Sequence, residues 1–403
     1  MPEEVVEEIL LRLPADSLVR FKCVCKSWYA LINDPSFVHK HLISLKIENS
    51  KSSSSISLFL SRNRQELSLD EIFDFEEGEE SWWFGHRDQV LSLITIRNDG
   101  VHNGDRLSCA IEELDLPLIP NPENVNRSSR IFNGFHCNGI IFLADESEKT
   151  FVLCNPTLKE LEFVPLPPDF CNFRPRGCGF GYDCRANEYK YVRLLRCCDN
   201  REVSKVSKAH VYTLGTNSWR EIEIDIPIKH WSDRRKGVYC KGVYYWWNAP
   251  GFYILCTILS FDMCKEKFKS ILIPSVQLSF EDSKDIVVWN DSIALFFSRE
   301  NSWFSTSFEM WVMVDDFGAV EGCTPWTKLL TIGPLACIHS PLAFWTEDEL
   351  LMESRDGLIV SYNLYTQKLR RLPIPGAVFP GKSYADFYVK SLVSVKRRNT
   401  LSR

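Results

Sequence analysis

A chain of 403 residues with 45% apolar and 25% charged residues has the balance of an ordinary globular protein. It is long enough for one small module and one large domain with its own core. The formal charge of −6 gives no electrostatic footing for a nucleic-acid partner. No apolar run approaches about 18 residues, so no membrane span is expected. The acidic start, with Glu3, Glu4, Glu7 and Glu8, does not resemble a signal peptide. Fifteen cysteines, an odd count without a C-x-x-C spacing, read as reduced and mostly buried thiols of a cytosolic or nuclear protein. The near neighbours Cys23/Cys25 and Cys197/Cys198 lack zinc-ligand spacing. The sequons at Asn126 and Asn290 then read as chance matches.

The first elements are helices. Val5, Val6, Ile9, Leu10 and Leu13 recur at helical spacing with the acids and Arg12 opposite, Pro2 suits the first turn, and Pro14 stops the run. A second pattern from Asp16 to Asn33 carries Leu18, Phe21, Val24, Trp28, Leu31 and Ile32 at three- and four-residue steps. Asp34 before Pro35 reads as an N-cap opening a short helix with Phe37 and Val38. Three or four short helices bury too little surface to stand alone. Leu10, Leu13, Pro14, Val24 and Trp28 are expected to leave an apolar patch for another protein.

Residues 1–42 as a whole resemble an F-box: PEEVVEEILLRLP, then SLVRFKCVCKSW, then LINDPSF. The resemblance implies docking onto a Skp-family adaptor, which links to a cullin and a RING protein. The adaptor-facing positions it implies are Pro2, Val6, Ile9, Leu10, Leu13, Pro14, Leu18, Val24, Trp28, Leu31 and Ile32. Met1 stands where the family usually has Leu before the first Pro. The competing reading is a helical cap that serves only the large domain.

The polar stretch NSKSSSS (49–55) marks the module boundary, with 43–55 expected as a linker. Beyond it short strands take over. Hairpins at 133–144, 176–195, 235–248, 284–297 and 341–354 are each followed by a strand, a polar turn and a return strand. The return strands begin at Leu161, Trp219, Phe268, Trp326 and Leu369, spaced by about 43–58 residues, near the period of a four-stranded propeller blade with insertions. Residues 56–118 offer a further blade, and the terminal strand 386–395 is expected to complete it and close the ring. The fold class is therefore a small all-α module followed by an all-β propeller-like domain over 56–395, of about six blades in a range of six to eight, with a basic tail at 396–403.

Five of these wordings resemble the F-box-associated (kelch-like) domain of plant proteins: the N-G strand, C-N-P, G-F-G-Y-D with E-Y-K, V-Y-T-L-G-T-N-S-W and D-E-L-L-M. The nearest flavour is the S-locus F-box group, whose implied targets in self-incompatibility are S-RNases. Paralogues with other targets, and a propeller scaffold outside any ligase, share this wording.

Catalytic, cofactor and metal sites find no pattern. Gly177, Gly179 and Gly181 lack the spacing and following helix of a dinucleotide loop and read as a strand needing small residues. His39 and His41 are two apart, off one helical face. No nucleophile elbow or Ser-His-Asp order occurs. The pairs Trp82/Trp83 and Trp246/Trp247 read mainly as blade packing and otherwise as a contact surface. Residues 70–80, DEIFDFEEGEE, hold seven acids and no base, and SWWF follows. As a solvated loop they mean nothing further; as a recognition loop, Asp74, Glu76, Glu77, Glu79, Glu80, Trp82 and Trp83 suit a basic protein target such as an S-RNase. The turn-rich stretch 196–208 is a second candidate rim loop.

Overall fold

The computed structural model describes residues 2–50, 55–64, 88–98, 107–114, 132–145, 150–167, 173–197, 206–228, 237–248, 256–274, 276, 284–302, 305–314, 325–374 and 383–396. Four helices come first: α1 (Glu3–Leu11), α2 (Ala15–Phe21), α3 (Lys26–Ile32) and α4 (Pro35–Ser50). The pattern expected as one run from Asp16 to Asn33 is thus two helices. Asp34 caps α4 as its sequence suggests, its Oδ1 accepting from the N–H groups of Ser36 and Phe37 at 2.8 and 3.3 Å. Most of the segment expected as a linker over 43–55 is helical. With no Pro or Gly after Pro35 to stop it and Leu42 buried, α4 runs to Ser50, and the first strand begins at Ser55.

The described strands form six four-stranded antiparallel sheets arranged as a propeller. Blade 1 pairs Tyr384–Phe387 with Ser55–Arg64, then Asp88–Asn98 and Leu107–Glu113. Blades 2 to 6 occupy 132–164, 173–228, 237–272, 284–336 and 338–371, each in sequence order from the axis outwards. The return strands begin within one residue of the expected anchors, at Glu160, Ser218, Lys267, Trp326 and Leu369. Leu58↔Phe387 and Ser61↔Tyr384 register the closing strand, so the last described strand completes the first blade. That strand is shorter than expected. After Phe387 the chain leaves the sheet.

Two turn devices recur. Asn138–Gly139, Lys241–Gly242 and Asn290–Asp291 place both central residues at positive φ, as a two-residue type I′ hairpin requires. Asn155, Asp183, Asp262 and Asn363 each accept two backbone N–H groups through one side-chain oxygen, and Lys159, Asn187, Glu266 and Gln367 four residues on take the left-handed conformation.

Aromatic rings fill the seams between blades. Phe142 of blade 2 stacks on Tyr191 of blade 3 at 3.8 Å between centroids. A Cβ on Gly179 would lie 2.7 Å from the Tyr244 ring of blade 4, which explains the small-residue row at 177–181. Trp246 is buried and donates to Cys178 O at 2.7 Å, and Trp247 is also buried, so this pair serves blade packing. Trp219 and Trp326 tie their outer strands to the preceding blade, donating to Pro165 O and Leu272 O at 2.7 and 2.8 Å.

Candidate functional site

The helical module has a core of Leu10, Ala15, Leu18, Ile32 and Phe37, completed by Leu392 from the far end of the chain. Three of the eleven positions expected to face an adaptor lie inside this core. Leu10, Leu18 and Ile32 are 1%, 0% and 0% exposed, because a unit of four short helices must turn its crossing residues inward to hold together at all. Val6, Leu13, Trp28 and Leu31 are half-buried around that core. Pro2, Pro14, Ile9 (49%) and Val24 (59%) are open to solvent. Val5 and Tyr29, also exposed, were not in the expected set; Val5 lies one turn before Ile9 and extends the stripe along α1. His41 is buried, with Nε2 2.8 Å from Leu13 O, and fastens α4 to the end of α1; His39 is exposed. Among the described residues no group of three metal-ligating side chains occurs. Nor does any described helix have the length and apolarity to cross a membrane. The described cysteines are not mostly buried as expected: Cys23, Cys25, Cys184 and Cys337 are exposed.

The module is fixed to the propeller by residues 388–395, the stretch that leaves blade 1. Tyr388 N–H donates to Ser57 O at 2.9 Å. Asn155 Nδ2, fully buried in blade 2, donates to Ser391 O and Val393 O at 3.0 and 2.7 Å. Glu160 accepts from Ser394 Oγ and Val395 N–H at 2.7 and 3.0 Å. Lys390 reaches across to Asp16 of α2 at 2.8 Å, and Leu158 of blade 2 packs against the helical core. Gly139 touches the same strap, where a Cβ would meet Val389 O and Ser391 Oγ at 2.5 Å. Sequence patterning missed this strap because its alternating apolar residues look like one more strand.

The strap defines two rims. The turns at Asn138–Gly139 and 155–160 lie on the helix side. Arg64 and Asp88 pair at the opposite ends of their strands, so the connection 65–87 leaves from the far rim. By the same alternation the connections 115–131, 168–172, 198–205, 229–236, 249–255, 277–283 and 375–382 leave from that rim too. The acidic segment, with Asp74, Glu76, Glu77, Glu79, Glu80, Trp82 and Trp83, lies outside the described residues. Of the second candidate, 196–208, the strands claim 196–197 and 206–208, and the remainder is likewise outside.

One buried charge cluster escaped the sequence reading although its motif was in view. Asp183 and Lys190, the acid of G-F-G-Y-D and the base of E-Y-K, pair at 2.6 Å, and Lys190 also donates to Met263 O and meets Glu266 at 2.7 Å each. Burial opposes the charge on Asp183, yet hydrogen bonds from Cys264, Lys190 and two backbone N–H groups hold its carboxyl down at about 2. The same opposition acts on Lys190: burial lowers its pKa, while Asp183 and Glu266 raise it by more. The cluster straps blade 3 to blade 4.

Comparison with known proteins agrees with this architecture. Residues 1–40 match the F-box domain, and residues 94–393 match the F-box associated beta propeller domain. A putative F-box protein of Arabidopsis thaliana is 28% identical, over 82% of this chain and 78% of its own length. An F-box/kelch-repeat protein of the same plant is 26% identical, over 98% of this chain and 95% of its own length. Four helices carrying an F-box, closed onto a six-bladed propeller by a C-terminal strap, place the chain in the family of F-box proteins with an F-box-associated beta propeller domain.

Proposed function

We propose that the chain is the substrate receptor of a Skp-cullin-F-box ubiquitin ligase, working in the cytosol. The helices dock onto a Skp-family adaptor, the far rim of the propeller holds a protein target, and a partner enzyme modifies lysines of that target. The chain itself does no bond chemistry on the target. The observation that carries this reading is the division of labour between the two sides. Apolar Ile9 of α1 and Val24 of the turn between α2 and α3 stand exposed in the helical module at one rim, and the two longest connections, 65–87 and 115–131, leave from the other. Mixing the purified chain with a Skp-family adaptor should give a complex that co-elutes on size exclusion. Two proteins that elute separately at micromolar concentration would refute the receptor role and leave a propeller scaffold.

The target we propose is a basic protein. Seven acids without a base in 70–80 would raise its encounter rate, and the resemblance to the S-locus group makes an S-RNase the first to try. Charge reversal at Glu76, Glu77, Glu79 and Glu80 should weaken binding and flatten its salt dependence; unchanged affinity would return the segment to plain solvation.

A further inference from the structure

Cys184 sits in the turn 183–188 of blade 3, and Cys264 in the turn 262–267 of blade 4. Their sulfurs are 3.7 Å apart across the seam, although 80 residues separate them in sequence. Cys184 is exposed and Cys264 partly so.

The proximity is built. Asp183 Oδ1 fixes the first turn by accepting from Arg185 and Ala186, and Asp262 Oδ1 fixes the second by accepting from Cys264 and Lys265. Lys190 then binds the two turns to each other through Asp183, Met263 O and Glu266. Arg220 holds Glu266 from the outer strand of blade 3, and Tyr239 of blade 4 donates to Tyr182 O at 2.9 Å. Two thiols held by such a frame meet at a high effective concentration. A disulfide, with sulfurs about 2.05 Å apart, needs them to close by less than 2 Å or so.

We propose that Cys184 and Cys264 form an oxidisable dithiol site that a hydroperoxide closes into a disulfide stapling blade 3 to blade 4. Burial and the hydrogen bond to Asp183 push the Cys264 thiol up to about 11, so it stays protonated at neutral pH. The exposed Cys184 is the attacking group. Its thiolate takes the terminal oxygen of the hydroperoxide, breaking the O–O bond, and gives Cys184 sulfenic acid and water or an alcohol. Cys264 sulfur then attacks Cys184 sulfur, the S–S bond forms, and hydroxide leaves. It departs as water with the proton that Cys264 sheds through Asp183. Two thiols lose two electrons in all, and the peroxide gains them. A reducing dithiol reverses the step by exchange.

The test is peptide mapping of the full-length chain after treatment with stoichiometric hydrogen peroxide and alkylation of the remaining thiols. The site predicts a Cys184–Cys264 linked peptide that a dithiol reductant removes, and a higher unfolding midpoint for the linked chain. In Cys264→Ser, Cys184 should instead accumulate as sulfenic acid trapped by dimedone, several-fold above wild type. Oxidation of Cys184 to the sulfinate without a link, or equal dimedone labelling in the two proteins, would overturn the proposal. The wild-type map stands however the variant folds.

Discussion

The helical module and the propeller solve the same problem in opposite ways. The propeller closes a large core: Phe142, Tyr191, Leu295, Phe296 and Leu350 have no more than a trace of surface, its first blade is completed by Tyr384–Phe387, and the apolar side chains it exposes, Phe163, Leu272 and Tyr365 among them, sit on outer strands and turns. The module cannot. It borrows Leu392 to finish its small core and still leaves Val5, Ile9, Val24 and Tyr29 in water. One region closes its own core, and the other leaves apolar surface that the proposed adaptor would cover. Substitutions should therefore cost the propeller stability and cost the module a partner.

The largest effects belong to the propeller. Phe142→Ala removes a ring stacked on Tyr191 and should lower unfolding free energy by about 3–5 kcal/mol in denaturant titration. Lys190→Met leaves Asp183 buried without its cation and Glu266 with Arg220 alone, a loss of about 3 kcal/mol. At the join, Asn155→Ala frees two strap carbonyls and two turn N–H groups and should cost about 2 kcal/mol. A cost near zero would mean the strap does not hold the two regions together. Acid gives a smaller, titratable version of the seam effect. Asp183 is depressed in the folded chain to about 2, so its contribution is fully present above the ordinary carboxylate range and is lost as pH falls through about 2. Between pH 5 and 2 the wild type should lose on the order of 2 kcal/mol that Asp183→Asn does not lose over the same window.

Much of this was legible from residue order. The blades were, because each repeats a hairpin, a polar turn and a return strand with an aromatic or Leu anchor, and the period survives insertions. The closing strand was half legible: pairing ends at Phe387, but Tyr388 to Val395 alternate like a strand while serving as a strap, a distinction that depends on Asn155 some 236 residues away. The module's helices could be read from their apolar spacing. Which apolar residue points in and which out could not, since Ile9 and Leu10 are neighbours on one helix and only the crossing of four helices decides between them. The seam cluster and the thiol pair bring together residues 183 and 264 by blade packing, a relation that no local pattern carries.

The smallest expected stability change is paired with the largest functional one. Replacing Ile9 and Val24 together by Asp alters exposed side chains only, so the unfolding midpoint should stay within about 0.5 kcal/mol equivalent of wild type. Leu10→Ala, by contrast, would hollow the module's core and report on folding rather than on docking. The decisive measurement is the affinity of the Ile9→Asp, Val24→Asp chain for a Skp-family adaptor by calorimetry, with thermal unfolding recorded on the same sample. The account predicts at least a hundredfold weaker binding at an unchanged midpoint. Wild-type affinity in that double variant would contradict it.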